Sequence, residues 1–153
     1  MLVGLGGCSI QPGHYVIIRL ASAKTTESAS CWDNMVPDSI KDDTTTLATG
    51  SSVAIFAADA DTYYLELADG TISIEGTRDG KDYSFFGEDI DVEEYSTTTV
   101  TWDVQTTINN KSVTGKSITT TTCTGDGCGI ASCVQTTEFV GTVVKGVELQ
   151  RGI

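Results

Sequence analysis

The 153-residue sequence predicts an all-β fold, an antiparallel up-and-down meander of about eight strands. Threonine, a β-branched residue that favours strands, occurs in runs such as 97–99 and 119–122. Gly is frequent, and Asx-Gly pairs suited to two-residue hairpin loops lie between the β-like stretches. Those stretches alternate apolar and polar residues with the period of two typical of half-buried strands. A meander of this kind forms a barrel or a two-sheet sandwich, and the sequence leaves both open.

The individual strands follow from alternation and turn signals. The predicted strands are 14–21, 51–58, 62–68, 71–77, 81–87, 94–108, 111–123 and 133–149. Asp79-Gly80 and the weaker Asn109-Asn110 predict tight hairpins between consecutive strands. The alternation breaks over 24–50, which predicts a long connection with a short helix near 36–41. We expect a disulfide at Cys31 and burial of Trp32 to hold this connection in place.

The five cysteines are an odd number, which calls for a separate role for one of them. Cys123, Cys128 and Cys133 follow one another at even four-residue gaps, unlike the paired C-x-x-C spacing of zinc sites. Two disulfides among these three and Cys31 are therefore predicted. The hairpin dipeptide at 126–127 favours a Cys123–Cys133 bond with Cys128 joined to Cys31, although four cysteines allow three connectivities.

The fifth cysteine, Cys8, ends the stretch Leu5-Gly6-Gly7-Cys8, which resembles the lipobox of bacterial lipoproteins. The resemblance implies that Cys8 is acylated on sulfur and anchors the protein to a membrane. It also implies that residues 1–7 are the remnant of a signal peptide, 8–13 a lipid-anchored tether and 14–153 a single β domain. The non-Asp residue after Cys8 implies delivery to the bacterial outer membrane, facing the periplasm or the cell surface.

A second resemblance concerns the order of the strands. A first strand, a long connection and then a meander is similar to the lipocalin (calycin) order, and Pro12-Gly13-His14-Tyr15 lies where that family has its Gly-x-Trp signature. The resemblance implies a carrier of a small apolar ligand. Five aromatic residues fall mostly on inward faces, where they would line a pocket or simply fill the core. These candidates are Tyr63, Tyr83, Phe85, Trp102 and Phe139.

Charge and the scarcity of catalytic groups limit the functional classes. The net charge of −12 disfavours nucleic acids, because phosphates would be repelled. His14 is the only histidine and has no nucleophile motif beside it. Glu66 and Glu75 fall on the polar face of neighbouring strands, so they do not form the facing pair of a glycosidase. The sequence therefore predicts a non-catalytic protein without a cofactor.

Carboxylates are the only abundant metal-ligating groups. Oxygen ligands in loops hold Ca²⁺, although the spacing here matches no known calcium motif. The alternative is a solvated acidic connection. The candidate ligands are Asp59, Asp61, Glu88, Asp89 and Asp91.

These observations predict a monomeric binding or interaction module held at a bacterial envelope by Cys8. The first alternative is a lipocalin-like carrier of a small apolar ligand. The second is an adhesin or inhibitor that presents the 24–50 connection or the 123–133 hairpin to a protein partner. The expected partners are thus a membrane, through the lipid, together with a small apolar ligand or a protein.

Overall fold

The chain folds into a closed, eight-stranded antiparallel barrel. The computed structural model describes residues 10–31, 47–67, 70–129 and 131–144. The strands are β1 (Tyr15–Glu27), β2 (Ser52–Ala57), β3 (Tyr63–Leu67), β4 (Ile72–Asp79), β5 (Asp82–Val92), β6 (Thr97–Asn109), β7 (Ser112–Thr124) and β8 (Ser132–Val143). Each strand pairs with the next in sequence, and β8 pairs with β1 to close the barrel. The predicted all-β meander is confirmed, and it is a barrel, not a sandwich.

Several strands run further than their sequence pattern predicts. β1 continues to Glu27 and β5 continues to Val92. The predicted acidic connection over 88–92 is therefore wrong: these residues form strand and stay in register with β6. Carboxylates are disfavoured in strands, which made the segment resemble a loop, but the β-branched Ile90 and Val92 alternate with them. The predicted end of the last strand, the helix near 36–41 and Trp32 lie outside the described residues.

Each of the two tight hairpin loops begins one residue later in the sequence than predicted. The β4–β5 loop is Gly80-Lys81 and the β6–β7 loop is Asn110-Lys111. Gly80 has a φ of 60° and Asn110 a φ of 56°. A left-handed φ suits Gly and Asn better than other residues, so each sits at the first loop position.

One part of the barrel, which we call the core half, holds most of the apolar side chains. It comprises the short strands β2, β3 and β4 together with the segments of the other strands beside them. Phenylalanine rings cover glycines on facing strands: Phe85 lies opposite Gly76, and Phe139 lies opposite Gly115. A Cβ on either glycine would overlap the ring. Ile10 also belongs to this core, so the expected tether over 8–13 contacts the barrel at Ile10.

The other five strands continue past the short ones and form what we call the extended half. Its segments are 23–27 of β1, 86–92 of β5, 97–102 of β6, 119–124 of β7 and 132–137 of β8. Threonines face each other across β6 and β7, for example Thr99 opposite Thr122 and Thr101 opposite Thr120. Cross-strand threonine pairs of this kind stabilise a sheet by about 0.2–1 kcal/mol each.

Two disulfides lie in or beside the extended half, as Cys31–Cys133 and Cys123–Cys128. Two disulfides are present, as predicted, but the favoured pairing of Cys123 with Cys133 and of Cys128 with Cys31 is wrong. The β7–β8 register places Cys123 opposite Ala131, with a Cys123 N–H to Ala131 C=O hydrogen bond of 3.0 Å. Cys133 instead lies opposite Thr121, because the hairpin is centred on Gly127 and Cys133 lies two residues beyond the position opposite Cys123. Cys133 therefore bonds to Cys31, in the 3₁₀ turn Ala29–Cys31 that follows β1.

The barrel has two distinct ends. The hairpin end contains the loops 80–81 and 110–111 and the start of β1. The disulfide end contains the end of β1, the turn 93–96 and residues 125–129 after β7. Since β5 runs from the hairpin end to the disulfide end, its last residues lie in the extended half.

Candidate functional site

The candidate pocket aromatics point inward and pack on one another. Tyr63 and Tyr83 meet edge to face at a ring-centroid distance of 5.3 Å, and Tyr83 stacks on Phe85 at 6.3 Å. These three and Phe139 are almost fully buried, while Trp102 is partly buried against the same core. Burial raises the pKa of the Tyr83 hydroxyl. The side chains thus fill the core half by direct contact.

The candidate metal ligands fall into two sets at opposite ends of the barrel. Asp59 and Asp61 lie in the β2–β3 turn at the hairpin end, whereas 88–91 belong to β5 towards the disulfide end. The Asp59 carboxylate accepts backbone N–H bonds from Asp61 and Thr62 at 2.8 and 2.7 Å. These bonds lower the pKa of Asp59 and give it a turn-forming role. Among the described residues, no three His, Cys, Asp or Glu side chains group as a metal site requires.

The remaining polar candidates have partners of their own on the outer surface. Tyr15 donates a hydrogen bond to Glu66 (3.2 Å), and Tyr64 donates one to Glu75 (3.3 Å). His14 Nδ1 lies 3.2 Å from the carbonyl oxygen of Pro12 in the segment before β1. These contacts lie on the outside of the barrel and join neighbouring surface residues.

A row of exposed apolar side chains follows the outward face of β5. Phe86, Ile90 and Val92 are 63%, 55% and 72% exposed, and Tyr95 in the next turn is 67% exposed. The outward neighbours across β6 are polar: Asp103 faces Phe86, and Thr99 faces Ile90. Glu88 takes the outward position between Phe86 and Ile90, so the apolar side chains follow one strand with one carboxylate among them. Several exposed large apolar residues on one strand are informative. We call Phe86, Ile90, Val92 and Tyr95 the β5 apolar row.

The same segment of β5 forms an open sheet edge. The pairing of β5 with β4 ends at Gly76–Phe85, whereas its pairing with β6 continues to Val92–Thr97. A Cβ at Gly87 would lie 3.1 Å from Ile74 Cγ2, so the missing side chain lets β5 cross close to β4 as the strands part. Among the described residues, no strand pairs with the other side of 86–92. We call this stretch the β5 edge.

A groove opens on the outer surface where β4 and β5 part. Its volume is about 600 Å³. Phe86 forms one end of the β5 apolar row and also lines this groove. The lining residues are Glu75, Gly76, Thr77, Ser84, Phe85, Phe86, Asp103 and Gln105. The groove is therefore continuous with the β5 edge and mixes one exposed aromatic ring with carboxylates.

Carboxylates surround the β5 edge. Glu88, Asp89 and Asp91 lie on the strand, and Glu93 and Glu94 follow in the turn. The adjoining β6 carries no Lys or Arg between Thr97 and Asn109. A hydrogen bond with Glu94 raises the pKa of Tyr95. The edge therefore combines unpaired backbone, apolar side chains and strong negative charge.

Sequence reasoning missed this surface because it ended the strand at residue 87. The available signal was the alternation over 89–92, where Ile90 and Val92 occupy even positions and Asp89 and Asp91 odd ones; Glu88, at an even position, interrupts it after Phe86. A period of two that places apolar residues on the outward side cannot be recognised as a strand facing solvent unless the neighbouring strands are known.

Comparisons with known proteins add no family. No protein-family model matches the sequence, and neither the curated proteins nor the solved structures contain a match. Within the described ranges, no helix is long and apolar enough to cross a membrane.

Proposed function

We propose that this chain is a non-catalytic binding module that takes a protein partner on the outward side of β5. The observation that carries the proposal is the β5 apolar row, because it lies along an open sheet edge. Several exposed apolar side chains beside unpaired strand backbone are typical of surfaces that another chain covers.

The packing inside the barrel favours a module that binds a partner on its outer surface, and disfavours a carrier that holds a small apolar ligand inside. A carrier needs an empty interior lined by apolar groups. In the core half Tyr63, Tyr83 and Phe85 occupy that interior and contact one another. Native mass spectrometry tests this point: we expect the bare mass of the chain with two disulfides, and a stoichiometric apolar adduct would favour the carrier.

We further propose that the module is a lipoprotein of a bacterial envelope. The two disulfides are consistent with an oxidising, extracytoplasmic compartment. They use four of the five cysteines, which leaves Cys8 of the lipobox-like stretch as the odd one. Intact mass of the protein exported in bacteria behind a complete signal sequence should reveal acylation that Cys8→Ser removes, and an unmodified Cys8 would contradict the anchor.

An anchor at Cys8 would set the orientation of the barrel relative to the membrane. Cys8 precedes the buried Ile10 by two residues in the sequence, and two residues of chain span at most about 7 Å. The segment after Ile10 is held at the hairpin end by a Gly13 N–H to Ala57 C=O bond of 2.7 Å. The lipid would then hold the hairpin end at the bilayer and direct the β5 edge away from it.

Site-specific photocrosslinking in the native host tests the binding surface. A photoreactive residue at Ile90 should give a discrete crosslinked species, since Ile90 lies in the centre of the β5 apolar row. The matched control is Val140, an exposed apolar residue on β8 that has neighbouring strands on both sides. Equal crosslinking from both positions, or none from Ile90, would contradict the proposal.

A further inference from the structure

The backbone of the β5 edge has a defined set of unused hydrogen-bonding groups. The Ile108 N–H donates to the Lys81 carbonyl (2.9 Å), and the Glu93 N–H donates to the Ser96 carbonyl (2.8 Å). The β5–β6 register between these two pairs is uninterrupted. Hydrogen-bonded pairs alternate along an antiparallel ladder, so the odd-numbered residues of β5 bond to β6.

The even-numbered residues of β5 therefore point their N–H and C=O groups away from β6. At Asp82 and Ser84 these groups face β4, which pairs with β5 there. At Glu88, Ile90 and Val92, beyond the last pair of β4 with β5, they face the open side. Three consecutive even positions present the repeating donor and acceptor pattern that an added strand requires.

Side chains beside this backbone would contact an added strand. The even positions also point outward, so Phe86, Ile90 and Val92 would flank the outward side chains of the incoming chain. At one end the groove of about 600 Å³ beside Phe86 can receive a larger side chain. Two of its lining residues, Glu75 and Asp103, are acidic.

Charge identifies the kind of strand that fits. Five carboxylates lie between residues 88 and 94, and β6 beside them has no basic residue. Pairing of β5 with β5 of a second copy would bring two such acidic segments together, and like charges across a strand pair are destabilising. The same carboxylates attract Lys and Arg. Repulsion between like charges therefore disfavours self-association, and attraction selects a basic partner.

We propose, resting on the binding role proposed above, that the β5 edge accepts an extended segment of a basic protein as an added strand. The segment pairs with the open groups at 86–92 and alternates Lys or Arg with apolar residues. Backbone bonds give the affinity, and the carboxylates and the β5 apolar row select the sequence.

The test uses blocked ten-residue peptides that alternate valine with lysine, and matched peptides that alternate valine with glutamate. Hydrogen exchange followed by NMR on the disulfide-bonded protein reads out individual amides. The valine–lysine peptide should slow exchange at Glu88, Ile90 and Val92 by roughly 100-fold when present at 100 times its Kd. The valine–glutamate peptide should leave these amides unchanged.

Two controls separate strand addition from simple charge attraction. A valine–lysine peptide methylated at alternate backbone nitrogens keeps its charge but cannot complete the ladder, so it should not protect the edge amides. The double variant Glu88→Lys/Asp91→Lys should weaken binding of the unmodified peptide by roughly tenfold. Asp79→Lys/Glu138→Lys makes the same change in net charge at exposed sites away from the edge and should bind like the wild type.

Equal binding of the methylated peptide, or protection confined to residues outside 86–92, would overturn the added-strand mode. A dimer in sedimentation velocity that protects the same amides without peptide would overturn the basic partner. If no peptide binds while crosslinking from Ile90 persists, this inference fails and the proposed binding surface stands. Loss of both would remove the proposed function as well.

Discussion

The core half and the extended half of this barrel are stabilised in different ways. In the core half, short strands enclose apolar and aromatic side chains, including the fully buried Phe85, Ile55 and Val104. In the extended half, the inward positions of β7 and β8 carry Thr119, Gln135 and similar polar groups. Hydrophobic burial supplies the first region with its stability, and the second depends on hydrogen bonds and a disulfide.

The inward hydrogen bonds of the extended half connect β1 to β8. Thr25 and Thr137 share a hydroxyl–hydroxyl bond of 2.8 Å, and Gln135 Nε2 donates to Glu27 at 2.7 Å. The Cys31–Cys133 disulfide lies beside these pairs. A region held in this way needs no apolar interior, so its strands can extend outward and leave the β5 edge available.

Truncation of Phe85 should have the largest effect, because it acts on the core half. Phe85→Ala removes a ring that is 1% exposed, covers Gly76 and stacks on Tyr83. We expect a loss of about 3–5 kcal/mol in the free energy of unfolding, measured by urea denaturation.

The neighbouring residue is the matched control for that substitution. Phe86→Ala removes the same ring from an outward position, and we expect a change within about 0.5 kcal/mol. Similar losses for the two variants would contradict the division into halves. Phe86→Ala should nevertheless weaken binding at the β5 edge, which separates stability from recognition.

Removal of the long-range disulfide should have the next largest effect. Cys31→Ser/Cys133→Ser opens a link between residues 102 apart in sequence, and we expect a loss of about 2–4 kcal/mol. Hydrogen exchange should accelerate mainly in the extended half, where this bond joins β8 to the turn after β1.

The second disulfide provides the comparison. Cys123→Ser/Cys128→Ser opens a link between residues only 5 apart, so the loss should be about 2 kcal/mol or less. Two outcomes would show that the extended half does not depend on Cys31–Cys133. One is faster hydrogen exchange in the core half after loss of that disulfide. The other is a larger loss of unfolding free energy when Cys123–Cys128 is removed than when Cys31–Cys133 is removed.

The fold was predictable from the sequence to the extent that its pattern is local. Alternation and turn residues identified all eight strands, since Tyr63, Leu65 and Leu67 share a buried face whichever strands lie beside them. Closure of the barrel depends on the pairing of β8 with β1, which lie more than 100 residues apart. No local pattern encodes that contact.

The candidate site was harder to predict for the same reason. The unpaired backbone at 86–92 depends on β4 as much as on β5, because the pairing of β4 with β5 ends at Gly76. The disulfide connectivity likewise depends on a register that offsets Cys123 from Cys133 by two positions. Both features require knowledge of the neighbouring strand.

A hydrogen-bonded pair of threonines tests whether the polar interior of the extended half is a matched set. Thr137 is 5% exposed, and its hydroxyl bonds to Thr25. Thr25→Val leaves that buried hydroxyl without its partner, so we expect a loss of about 1–3 kcal/mol in urea denaturation. Thr25→Val/Thr137→Val removes both hydroxyls and should be nearly neutral, since neither group then lacks a hydrogen bond.

The four variants of this cycle decide how the extended half tolerates change. A double variant as stable as the wild type gives a coupling energy equal in size to the sum of the losses of the two single variants. A double variant that loses the sum of both single changes would mean that the two hydroxyls act independently, through their own backbones. In that case the backbone ladder and the Cys31–Cys133 disulfide, and not a matched pair of hydroxyls, would be what keeps β1 and β8 together in the extended half.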